Sequence, residues 1–100
     1  MPQIHIFKIV HYLRIIDSKY LSLGSSDDLQ IKHDSTNSEI SNLTGNLNIK
    51  NTATDGDIIF YSDNGSGGTT EYLRLDGGIT SMVASVDLLL LDSIYLKFGN

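Results

Sequence analysis

Cysteine is absent from this chain, which removes both a disulfide framework and a thiolate metal site. Tryptophan is also absent, and aromatic residues make up only 8%. Lysine and arginine number 7 against 12 acidic residues, so the formal net charge is −5 and the sequence pI is near 4.8. The few basic residues are scattered, which argues against binding to a nucleic-acid backbone, since that needs clustered Lys and Arg. The longest aliphatic run, Leu88 to Leu91, is far too short to span a bilayer. The N-terminal stretch is apolar, but His5, Lys8, His11 and Arg14 interrupt it. No small-residue cleavage site comes after it, so it does not read as a signal peptide.

What the chain does contain is turn-forming residues. Its 100 residues amount to one domain's worth of chain. Apolar residues reach 40%, modest for an independent core. The polar remainder is mostly Ser, Thr, Asn, Asp and Gly rather than helix-favouring Lys and Glu. A loop-rich chain of this size without covalent staples often needs partners to gain buried area.

Ile4 to Ile16 is ambiguous. Ile6, Val10 and Leu13 fit a helical stripe, whereas Ile4/Ile6 and Leu13/Ile15 fit strands, and the β-branching favours strand. Next come two alternating runs, Tyr20 to Leu23 and Leu29 to His33, separated by the turn Gly24 to Asp28. Leu21 and Leu23 share a face, as do Leu29, Ile31 and His33. Glu39 to Asn42 reads as a very short strand at most. Asn46 to Lys50 alternates, with Leu47 and Ile49 inward. Asp57 to Ser62 and Thr70 to Leu75 read as the arms of a hairpin whose tip, Asp63 to Gly68, contains Asn-Gly. Ile79 to Val86 alternates again. Leu88 to Leu91 reads as a strand buried on both faces, and Ile94, Leu96 and Phe98 share a last face. The sum is all-β.

The first run returns near the C-terminus. Asp17-Ser-Lys-Tyr-Leu-Ser-Leu-Gly-Ser25 corresponds to Asp92-Ser-Ile-Tyr-Leu-Lys-Phe-Gly-Asn100, with Asp, Ser, Tyr, Leu and Gly identical. The chain therefore divides into an N-terminal apolar segment (1–16), one complete β repeat unit (17–91) and the start of a second (92–100). A unit cut off mid-motif implies a fragment of a longer, repetitive protein. Such a protein grows by repetition as an elongated object rather than closing as a barrel.

Asp17, Lys19, Leu21, Leu23, Gly24, Asp28-Leu-Gln-Ile31, His33-Asp34, Asn37-Ser38 and Ile40 occur in an order that closely resembles a repeat of tail fibres and related structural proteins of marine bacteriophages, particularly those of cyanobacteria. The pattern there runs apolar-x-D-N-K-x-L-x-[LF]-G-x-x-x-D-L-Q-I-Y-H-D-G-x-N-S-x-I. Thr44 to Leu47, Asp55-Gly56, Glu71 to Gly77 and Leu90 to Gly99 resemble its later parts, so the likeness covers roughly residues 13 to 100. Lys32 departs from the usual aromatic and Ser35 from the usual Gly. The resemblance implies a virion location and a structural role as a homotrimer, joined to adjoining fibre segments. The fold it implies is an intertwined trimer of β-helix, β-solenoid or β-prism type. Three chains about one axis pair exposed strand edges and cover half-covered apolar faces. The residues expected to form that assembly core are Leu21, Leu23, Leu29, Ile31, Leu47, Ile49, Leu88, Leu89, Leu90, Leu91, Leu96 and Phe98.

Nothing in the sequence specifies a reaction, and the chain reads as a non-enzyme that needs no cofactor. No serine sits in an elbow motif, and no carboxylate pair can be placed across a cleft. Gly65 to Thr70 lacks the Lys and the succeeding helix of a phosphate loop. Asp55-Gly-Asp57 and Asp63 to Gly67 lack the acidic ligands of a calcium loop. No metal is assigned. His33 would face a three-fold axis if Leu29 and Ile31 do, which makes it a weak metal or anion candidate. The blander reading is a histidine bonded to a backbone carbonyl or fixing the turn with Asp34. An alternative function is recognition of a host-surface glycan or receptor through Tyr61, Asp63, Asn64 and Tyr72 around the hairpin tip. The scarcity of aromatics weighs against it.

Overall fold

Period-two alternation between turn formers gives two antiparallel meanders, one in each half of the chain. The computed structural model describes residues 11–100. It divides the chain into two units, Met1–Asn48 and Ile49–Asn100. The stretch 17–91 thus holds one whole sheet from each unit. Every regular element among the described residues is a strand.

In the first unit, β1 (Tyr20–Leu23), β2 (Leu29–His33) and β3 (Ser38–Asn42) form a sheet in that order. The register places Leu21 opposite Ile31, and Ile31 opposite Ile40. Leu23 and Leu29 pair on the same face. Tyr20, Ser22, Gln30, Lys32, Glu39 and Ser41 fall on the other face, where Lys32 and Glu39 sit opposite one another and approach to 3.9 Å. A half-exposed pair at that distance adds at most about 1 kcal/mol. Asp34 builds the β2–β3 turn. Its Oδ1 accepts from the backbone N–H groups of Thr36 (3.0 Å) and Asn37 (2.8 Å).

Ser35, in that turn, has φ +77°, a left-handed conformation that penalises any residue with a Cβ. The resembling repeat carries Gly at this place. Ser35→Gly is therefore expected to stabilise the sheet by roughly 0.5–1 kcal/mol, read as a raised thermal midpoint, with the larger freedom of glycine in the unfolded chain offsetting part of the relief.

In the second unit, β4 (Ile58–Asp63), β5 (Thr69–Asp76) and β6 (Ser81–Ala84) form the other meander. Ile58, Leu75 and Met82 lie side by side, as do Phe60, Leu73 and Ala84. The hairpin tip is built by its own side chains. Asp63 Oδ2 accepts from Gly65 N–H at 3.0 Å, and Asn64 Oδ1 accepts from Ser66 N–H at 2.7 Å. The register slips between Phe60 and Tyr61, so that Tyr61 faces Glu71 and Tyr72 is the extra residue.

Several expected strands are corrected. Asn46 to Lys50, Leu88 to Leu91 and Ile94 to Phe98 have no strand pairing, and Leu89 is 80% exposed. An apolar or alternating run gives a face but not a ladder. It becomes a strand only where a neighbouring edge accepts its N–H and C=O groups. Ile79 to Val86 is strand only over Ser81–Ala84. Glu39 to Asn42, in contrast, belongs to a full five-residue strand. Residues 11–16 are neither strand nor helix, and the first ten residues of the N-terminal segment, with His5, lie outside the described residues.

Candidate assembly surfaces

Alternation in β1, β2 and β3 puts Leu21, Leu23, Leu29, Ile31 and Ile40 on one face of a three-stranded sheet. Leu13 and Ile15 flank it, lining an open groove with Leu21, Ile31 and His33. Ordinarily such a face is the inside of a core. Here it is open: none of the described residues is buried, and Ile40 is 62% exposed. The second sheet repeats the situation. Ile58, Phe60, Leu73, Leu75 and Met82 share a face, and Met82 is 75% exposed.

Four of the residues expected in the assembly core, Leu21, Leu23, Leu29 and Ile31, are thus brought onto one surface. Leu47, Ile49, Leu88 to Leu91, Leu96 and Phe98 lie outside the strands, and all are exposed. Sequence reasoning missed Ile40, because a single apolar residue in Ser-Glu-Ile-Ser-Asn is a weak signal. It also missed the second sheet's face, although the parity of the hairpin arms carried that information.

His33 lies at the end of the apolar face, and its Nδ1 is 2.9 Å from the Ser38 hydroxyl, its direct cross-strand neighbour. The partner is therefore neither a carbonyl nor Asp34. Among the described residues, no group of three or more His, Asp or Glu side chains is arranged to hold a metal ion. At the hairpin tip, Asp63 and Asn64 are occupied in shaping the loop, and the Tyr72 hydroxyl donates to the Asp63 carbonyl at 2.7 Å. Tyr61 is the more outward of the two tyrosines, 62% exposed against 40% for Tyr72.

The polar side of the second sheet carries a charged cluster. Three residues apart in a regular strand, Glu71 and Arg74 would face opposite ways. The extra residue at Tyr72 turns Glu71 onto the face of Arg74. Arg74 then donates to Glu71 Oε2 and to Asp76 Oδ2, both at 2.8 Å, and the Ser85 hydroxyl donates to Glu71. The Ser85 hydroxyl and then Arg74 hold the Glu71 carboxyl below its ordinary value. Arg74 does the same for Asp76, and the Asn37 and Thr36 amides do so for Asp34. A carboxyl whose folded value is depressed contributes stability that is present above its unfolded value and lost as pH falls through the folded one. Melting midpoints tracked by circular dichroism should therefore hold steady from neutral pH down to about 4.5, then fall as acid is added. Glu71→Gln should flatten part of that fall.

Compared with known proteins, the chain matches no family model, no curated protein and no solved structure. Among the described residues no helix is long and apolar enough to cross a membrane.

Proposed function

We propose that this chain is a structural segment of a phage tail fibre or virion appendage, acting as a shaft or connector without catalysis. In this reading three copies wind about one axis as an elongated, repetitive β structure, and adjoining fibre segments continue it. The observation that carries the reading is the pairing of two one-sided sheets with the absence of any buried side chain among the described residues. Strands so patterned are stable when something covers the apolar face, and identical chains about a symmetry axis offer identical faces to one another. The resemblance of residues 13–100 to phage tail-fibre repeats supplies the biological setting. The work of such a segment is mechanical: covered Leu and Ile layers resist fraying, and paired edges transmit length and stiffness. The deciding measurement is the mass of the purified chain by sedimentation equilibrium. Three chain masses are expected, and a folded monomer overturns the reading.

A further inference from the structure

The sequence repeat is also a repeat of backbone geometry. Ser18 and Ser93, at matching places, both adopt the left-handed conformation, with φ +63° and +69°. The same four-residue turn closes at each: Lys19 N–H donates to Ile16 O and Ile94 N–H to Leu91 O, both at 3.1 Å. Gly24 and Gly99, which end the two motifs, also share positive φ. Beyond the turn the two copies differ. Tyr20–Leu23 is hydrogen-bonded along β2, whereas Tyr95 to Phe98 is in no sheet. Exposure differs accordingly: Tyr20 is 42% exposed and Tyr95 87%, Leu23 is 47% exposed and Phe98 86%.

We infer that Asp92–Asn100 is a donor strand, shaped to take the place of β1 against the β2–β3 hairpin of a second copy of this chain. The register of β1 fixes the docking. Leu96 falls opposite Ile31, Lys97 opposite Gln30 and Phe98 opposite Leu29. Backbone bonds lost from β1 are replaced by the same bonds to the donor, so the exchange costs little. Phe98 in the place of Leu23 adds apolar contact. The chain's own β1 keeps the advantage of its tether, so exchange is the minor reaction until β1 is weakened. Donor and acceptor are different surfaces, which makes the contact heterologous: it closes a ring where the rotation between copies permits and otherwise joins copies end to end. It rests on the backbone edge of β2 and not on the covering of the apolar faces, so it stands apart from the three-fold reading.

The absence of cysteine allows a direct test by disulfide trapping between two full-length single-cysteine chains. Lys97→Cys mixed with Gln30→Cys under a thiol–disulfide buffer is expected to give at least fivefold more mixed disulfide than Lys97→Cys with Ser81→Cys. Adding Leu21→Pro to the Gln30→Cys chain, which removes a β1 backbone donor, is expected to raise the yield several-fold further. Equal yields in the first comparison overturn the inference, whether or not the Leu21→Pro chain keeps its sheet. A chain of trimeric mass without the 97–30 disulfide overturns this inference alone. The disulfide without a trimeric mass overturns the shaft reading alone.

Discussion

Ile31→Asp is expected to reduce the proposed trimer to a chain of single mass that no longer melts cooperatively. Ile31 is the middle of the cross-strand row Leu21–Ile31–Ile40 and sits beside Leu23 and Leu29. It is still 42% exposed in the single chain, and in the proposed assembly its cover comes from a partner. Fully covering a side chain of this kind is worth about 1.5–3 kcal/mol, and in a symmetric assembly the gain recurs in every copy. An aspartate there removes that gain and asks several carboxylates to leave water side by side, where each disfavours the charge of the next. The control is Tyr20→Glu. It adds the same charge to the opposite, polar face, directly across from Lys32, and should leave the mass unchanged. Sedimentation of both variants beside the parent chain decides the matter. An Ile31→Asp chain that retains the parent's mass would show that this apolar face is not the interface.

The two sheets were differently legible in the sequence. The hairpin of β4 and β5 announces itself, because two β-rich runs flank an Asn-Gly tip; the first arm lies one residue later than expected, and the second extends one residue further at each end. β1 and β2 are readable from alternation, and the shared face of Leu29, Ile31 and His33 is the one observed. Leu88 to Leu91 and Ile94 to Phe98 show the limit of such patterns. Alternation and apolarity are properties of one segment, while a strand is a relation between two, and no neighbouring edge takes up these segments. The charged cluster was out of reach for a related reason. Glu71 and Arg74 meet only because of the extra residue at Tyr72, and a shift of register leaves no compositional mark. The apolar faces were readable as faces. What covers them is not a property of one chain's pattern, so the proposed trimer draws on the resemblance, and the sedimentation mass tests it.

Gly77→Ala should lower the stability of the second unit by about 3 kcal/mol, near the upper end of what overpacking costs. The reason is a close passage between two backbones. A Cβ on Gly77 would overlap the carbonyl oxygen of Gly56, and a backbone carbonyl cannot swing aside as a side chain can. The loop that holds Gly56 is itself tied down. Gly56 N–H donates to Ala53 O at 3.0 Å, Asn51 Nδ2 donates to Asp57 O at 2.9 Å, and Ala53 N–H donates to Asn51 Oδ1 at 3.1 Å. Gly77 N–H in turn donates to Asp57 Oδ1 at 2.9 Å. Making room for a methyl group therefore means stretching several of these bonds at once. Gly78→Ala is the matched control, because a Cβ there meets its nearest atom, Asp76 Oδ1, at an ordinary 3.5 Å. That change should be neutral or stabilise slightly by restricting the unfolded chain. The passage closes the end of the sheet at which Ile58, Leu75 and Met82 lie side by side, next to the groove they share with Gly56 and Gly77. Loosening it should let the exposed apolar row lose its alignment. The thermal midpoint and the assembled mass should then fall together in Gly77→Ala and stay at the parent's values in Gly78→Ala. Equal midpoints for the two variants would mean that the backbones do not approach so closely.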